Sequence, residues 1–197
     1  MTHSKHTHSH SHNTHSNDTL TSSLPLAPGT WTLDHAHSTV GFAIRHLGIS
    51  KVRGSFTEFE AELRVGAELD ECAVSATIAL ASIDTGNADR DAHVRSADLL
   101  DVDRRPTMRF ASTAIRGARD TWILDGLLTI GDVTRPVVLD VSFGGADHFP
   151  IDGRVHAGFS ARGELRRKEF GLTFGVVDPV LGDVVELSID LQLVAPD

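Results

Sequence analysis

The chain has 197 residues, 40% hydrophobic and 23% charged, with a formal net charge of −9 and one cysteine. That length suits one large domain or two small ones, and the single thiol excludes an internal disulfide scaffold. No stretch approaches about eighteen consecutive apolar residues, which excludes a transmembrane helix, and the acidic balance excludes a general nucleic-acid binder.

Six of the twelve histidines (His3, His6, His8, His10, His12 and His15) fall at the very start of the chain. Residues 1–28 carry only Lys5 and Asp18 as fixed charges, so the −9 belongs to the rest of the chain. The segment lacks the basic start and apolar run of a secretory signal, which predicts a cytoplasmic protein. It buries too little apolar surface to offset chain entropy and is predicted to be a disordered His-rich tail, with the folded domain spanning 29–197. Neutral imidazoles are good ligands for Ni²⁺, Zn²⁺ and Cu²⁺, so the tail is a weak metal candidate beside the plainer reading of a solubilising arm.

From Gly29 onward the apolar period is two. Val40, Phe42 and Ile44 begin it. Phe59, Ala61, Leu63 and Val65 follow, with an odd step from Phe56 that predicts a bulge or bend. Val74, Ala76, Ile78 and Leu80 make a third run, and Met108, Phe110, Ser112 and Ala114 a fourth. Trp122, Leu124, Gly126, Leu128 and Ile130 lead, after a turn, to Val137, Leu139, Val141 and Phe143. The last two runs are Val155, Ala157, Phe159, Ala161 and Val185, Leu187, Ile189, Leu191, Leu193. Turns are expected at Gly48, Gly66, Gly117, Gly131-Asp132, Gly144-Gly145 and Gly182-Asp183. Only residues 87–101 break the pattern: Ala88, Ala92, Arg95 and Leu99 recur at helical spacing, which predicts one helix between the third and fourth strands.

Eight one-sided strands with short links indicate an all-β antiparallel sheet closed into a barrel, which removes its edges. At eight strands the interior is either just filled or holds one small ligand. Ala157, Ala161, Gly163 and Gly126 favour a hollow, and a tapered filled core is the alternative.

Several segments together resemble the YceI-like family of lipid and polyisoprenoid-binding proteins. They are Trp31-Thr-Leu-Asp34-His-Ala-His37-Ser38-Thr-Val40-Gly-Phe42, Arg45-His46-Leu47-Gly48-Ile49-Ser50 with Val52-Arg-Gly54-Ser-Phe56, and Ile83-Asp84-Thr85-Gly86-Asn87 with Arg90-Asp91-Ala-His93-Val-Arg95-Ser96. Asp101-Val-Asp-Arg-Arg-Pro106-Thr-Met108-Arg-Phe110, Leu127-Leu-Thr-Ile130 with Val133-Thr134-Arg135-Pro136-Val137, Gly158-Phe159-Ser160-Ala161 and Arg167-Lys168-Glu169-Phe170-Gly171-Leu172 continue the series in order. The resemblance implies an elongated, lipocalin-like eight-stranded barrel whose apolar cavity takes a long-chain isoprenoid or other amphiphilic lipid, with no cofactor. Gly131-Asp132 departs from a more usual Arg-Gly, and the link 175–182, which is expected at one barrel end, is shorter than usual.

The inward candidates for lipid contact are Phe42, Ile44, Phe56, Phe110, Leu124, Leu128, Leu139, Val141, Phe159 and Leu187, each of which would serve equally as ordinary core. Arg90, His93 and Arg95 offer donors to a phosphate or carbonyl head group, unless the arginines instead pair with aspartates to fasten the helix. Arg167 and Lys168 read as a solvated turn. His35 and His37, on one side of a strand, have no third ligand in register. Cys72 has no catalytic partner, and no nucleophile elbow, phosphate loop or zinc helix is present. The reading is a lipid carrier or sequestering protein and not an enzyme. An enzyme or redox accessory acting on an isoprenoid lipid or quinone, or a metal-handling protein, are the alternatives, and a homodimer stays open.

Overall fold

The structure, a computed structural model, describes residues 23–197 apart from the side chains of Ala118 and Val177. The predicted tail and its six histidines therefore lie outside the described residues, except for residues 23–28.

Eleven segments form one antiparallel sheet: β1 (Gly29–Leu33), β2 (Thr39–His46), β3 (Ser50–Phe56), β4 (Phe59–Val65), β5 (Ala73–Ala79), β6 (Ile83–Asp84), β7 (Thr107–Ala118), β8 (Thr121–Ile130), β9 (Val133–His148), β10 (Val155–Arg166) and β11 (Leu181–Val194). Three consecutive pairs are single bent strands. A 3-10 turn His35–His37 separates β1 from β2, Thr57 and Glu58 separate β3 from β4, and a 3-10 turn Leu80–Ser82 separates β5 from β6. So joined, they are the eight expected strands in up-and-down order. β1 closes the ring by pairing with β4 on one side and, through Thr32↔Val194 and Leu33↔Leu193, with β11 on the other. The barrel has no free edge.

Among the described residues the one α-helix is α1 (Ala88–Arg95), shorter than the expected 87–101. Asn87 caps its start by accepting from Arg90 N. Ser96 ends it, because its hydroxyl donates to His93 O at 2.7 Å and accepts from Asp98 N, offering the backbone an alternative to another helical turn.

Three expected turns are bulges or strand interior instead. Gly145 (φ 111°) lets β9 carry one extra residue opposite Gly158 and Phe159, so β9 runs on to His148. Gly182 and Asp183 lie within β11, where the register against β2 shifts between Leu181 and Val185. Gly117 lies within β7, and the β7–β8 turn is Arg119-Asp120. A further bulge at Thr113 inverts the phase of β7, so Ile115 and not Ala114 faces the interior.

The strand directions define two ends. The helix end carries the β2–β3 and β8–β9 hairpins, α1 and the β10–β11 link. The opposite end is filled by a cluster of Leu24, Trp31, Leu63, Val65, Cys72, Trp122, Ala157 and Leu193. Leu24 is buried and Trp31 Nε1 donates to Ala27 O at 2.9 Å. Packed contacts thus include residues ahead of the expected boundary at Gly29.

Candidate ligand cavity

Above that cluster the inward side chains enclose a cavity of about 680 Å³, within the usual range for small-molecule sites. Phe42, Ile44, Phe56, Phe110, Leu124, Leu128, Leu139, Val141, Phe159 and Leu187, together with Arg90 and His93, line it. The interior is hollow, yet not where the glycines suggested. A Cβ on Gly126 would lie 2.2 Å from the Phe110 ring, and one on Gly163 would lie 2.7 Å from Leu139 Cδ2. These glycines make room for neighbouring side chains. The open space instead borders Ala161 and the cross-strand pair Ala61↔Ala76.

Polar side chains gather at the helix end, where His46, Ser50, Thr85, Arg90, His93 and Arg167 join the lining. Glu60 and Glu62 also border it, but both are exposed on β4 and Glu60 pairs outside with His35 at 3.2 Å. The Arg90 guanidinium donates to Thr85 Oγ1 at 2.7 Å and Thr85 O at 2.8 Å, not to an aspartate. His93 packs edge-on against Phe174 with centroids 5.5 Å apart, and its Nε2 lies 3.2 Å from Asp98 Oδ2. Buried Asp91 accepts from the Thr85 amide and hydroxyl, which ties the start of α1 to β6.

Arg95, expected among the head-group donors, does not line the cavity. Its Nε donates to Ala81 O at 2.7 Å and its Nη2 to Ile83 O at 2.6 Å, so it fastens α1 to the β5–β6 bend.

Arg167 is not a solvated turn residue. It is 2% exposed, and its guanidinium donates to Gly182 O, Leu172 O, Leu181 O, Asp178 O and the Asp178 carboxylate. The Arg167 bond, with further donors from Lys168 and Phe174 N, holds the Asp178 carboxyl well below the ordinary carboxylate range. This clasp gathers the β10–β11 link, including the 3-10 turn Gly175–Val180, over the helix end. No periodicity flagged Arg167, because its burial comes from the fold of an irregular link.

At the filled end Trp122 borders the cavity floor. Its Nε1 is the one buried side-chain polar atom among the described residues without a hydrogen-bond partner.

The remaining histidines make no metal centre; among the described residues no group of three or more His, Cys, Asp or Glu is arranged to hold an ion. His35 and His37 lie in a 3-10 turn, not on a strand. His37 Nδ1 is 2.8 Å from Asp34 Oδ2, while Ser38 Oγ exchanges bonds with the Gln192 backbone. Buried His156 is held between Asp152 and the Gln192 side chain, each at 2.8 Å. Burial raises the Asp34 carboxyl, but bonds from His37 and Ala36 N outweigh it and leave it lowered. Cys72 is buried, with Sγ donating to Glu68 O. No helix among the described residues is long and apolar enough to cross a membrane.

Residues 31–193 match the family described as "YceI-like domain". A UPF0312 protein of Serratia proteamaculans is 37% identical over 161 residues, covering 79% of this chain and 80% of its own length. The crystal structure of a Campylobacter jejuni YCEI protein superposes with a TM-score of 0.69 at 32% identity, covering 84% of this chain and 98% of its own. A polyisoprenoid binding domain from Saccharophagus degradans shares the fold alone, at a TM-score of 0.61 and 12% identity, with 86% of this chain and 100% of that domain covered.

Proposed function

The chain belongs to the YceI-like domain family, and from that premise we propose that it binds a long-chain amphiphilic lipid of the polyisoprenoid type and carries or sequesters it without altering it. The observation that supports this most is the cavity of about 680 Å³, walled by apolar side chains with polar side chains gathered at the helix end. Burial of each methylene contributes about 0.8 kcal/mol before ordering costs, so a few isoprene units suffice to hold a tail in such a space. The head remains at the helix end, where Arg90 and His93 offer donors. The structurally related domain from Saccharophagus degradans, described as polyisoprenoid-binding, supports the same class of ligand.

Native mass spectrometry of protein purified from its own host tests this reading. A bound lipid is expected, chemically unchanged after prolonged incubation, whereas conversion to a product would make the protein an enzyme. Ala161→Phe, which projects a ring into the cavity, is expected to abolish the bound mass while the barrel still folds. His93→Ala is expected to weaken a phosphorylated polyprenol more than the corresponding alcohol, and Arg95→Ala to lower stability without changing that preference.

A further inference from the structure

We propose that the rim of the helix end is a docking surface for an anionic lipid bilayer, through which the cavity exchanges its ligand. Six large apolar side chains among the described residues are exposed, and three of them lie at this end: Leu47 at 56%, Ile49 at 83% and Val176 at 98%. Leu47 and Ile49 form the tip of the β2–β3 hairpin. Val176 projects from the neighbouring 3-10 turn Gly175–Val180, and Leu47 N donates to Val180 O at 2.7 Å to join the two segments. Their neighbours His46, Ser50, Phe174 and Val180 line the cavity. The patch is therefore continuous with the helix end of the cavity wall.

Two local conflicts in the hairpin point to an outside partner. Leu47 and Gly48 both have positive φ (53° and 72°), and Ile49 N bonds to His46 O, which makes a turn whose first central position favours Asn, Asp or Gly. A leucine there is conformationally unfavourable and, being exposed, gains no burial in return. At the base of the tip Arg45 stands directly opposite Lys51, a like-charged cross-strand pair, and Arg53 follows on the same face as Lys51. Glu186 neutralises Lys51 at 2.6 Å, which leaves an excess of positive charge beneath an apolar tip. In a protein of net charge −9 this combination fits a bilayer: apolar side chains enter the acyl boundary and cations lie at the level of anionic head groups. Neither a turn nor a hairpin needs either feature to fold.

This rests on the reading of the cavity as a lipid site, and vesicle flotation of the full chain separates the two. Vesicles of phosphatidylcholine alone and vesicles with about a third phosphatidylglycerol are compared at low and high salt. Binding to the anionic vesicles is expected, reduced on the order of tenfold by raised salt or by neutral lipid. Ile49→Ser/Val176→Ser, at exposed positions where folding is undisturbed, is expected to reduce it by a similar factor. Ala161→Phe is expected to lose internal lipid but still float, so failure of the cavity reading leaves the docking result intact. The proposal is overturned if the unaltered chain floats with neither vesicle, or if the serine variant floats equally well. It is also overturned if the serine substitutions instead dissolve a concentration-dependent dimer in sedimentation velocity, which would make the patch a contact between copies.

Discussion

Two tryptophans of the same cluster differ by one hydrogen bond. Trp31 Nε1 reaches Ala27 O, whereas the Trp122 Nε1 reaches nothing. A buried donor without a partner costs about 1–3 kcal/mol, and a satisfied one contributes about 1 kcal/mol. Trp31→Phe is therefore expected to destabilise more than Trp122→Phe by roughly 2 kcal/mol, read as the difference between two denaturant midpoints. Equal losses would mean that Trp122 is satisfied by water. Asp178 carries a second consequence at this scale. Its folded carboxyl is held low by Arg167, so the stabilisation it brings is complete above the unfolded value and is lost as pH falls toward the folded one. The gap in Tm between the unaltered chain and Asp178→Asn is expected to stay flat from neutral pH down to about pH 4 and to shrink only below that. A gap that already closes near pH 6 would contradict the clasp.

At the scale of elements, the strands are legible in the sequence and their irregularities are not. Period-two alternation locates all eight because each has one wet and one dry face. A bulge leaves the composition of a strand untouched and merely inverts its phase. Thr113 and Gly144 therefore read as ordinary alternation and as a turn, respectively. The helix start is legible in Asn87, but its end is not, since Ser96 acts through a side-chain bond that the spacing of Leu99 masks. For the cavity, apolar alternation places on one face residues that line the cavity. Charge alone does not tell Arg90 and Arg167, at the lining, from Arg95, whose guanidinium is turned to the Ala81 and Ile83 carbonyls. The N-terminal segment is the clearest case of packing overriding composition. Residues 23–28 are too short and proline-rich an apolar cluster to read as part of the domain, yet Leu24 is buried at the barrel end. Deletion of residues 1–22 is expected to leave Tm nearly unchanged. Deletion of residues 1–28 removes Leu24 and the Trp31 bond, worth about 3 kcal/mol together, or a fall on the order of 10 °C.

For the whole molecule, closure into a ring explains how an eight-stranded sheet remains free of exposed edges while holding open space in its middle. The wall supplies its own stability through strand pairing, and α1, Arg95 and Arg167 secure what covers one end. The acidic charge is then distributed over an exterior that surrounds an apolar interior, and the positively charged hairpin is the local exception.

The cluster of Leu24, Trp31 and Trp122 gives this barrel a bottom. A tube open at both ends lets an incoming chain push the resident one out behind it, whereas a cup does not. For the lipid proposed above, exchange is therefore expected to be sequential: the occupant leaves before its successor enters. In stopped-flow displacement of a fluorescent lipid, the observed rate is expected to be independent of competitor concentration and equal to the spontaneous off-rate. On the proposed function, residence time would then be set by the protein's own walls, however much rival lipid surrounds it.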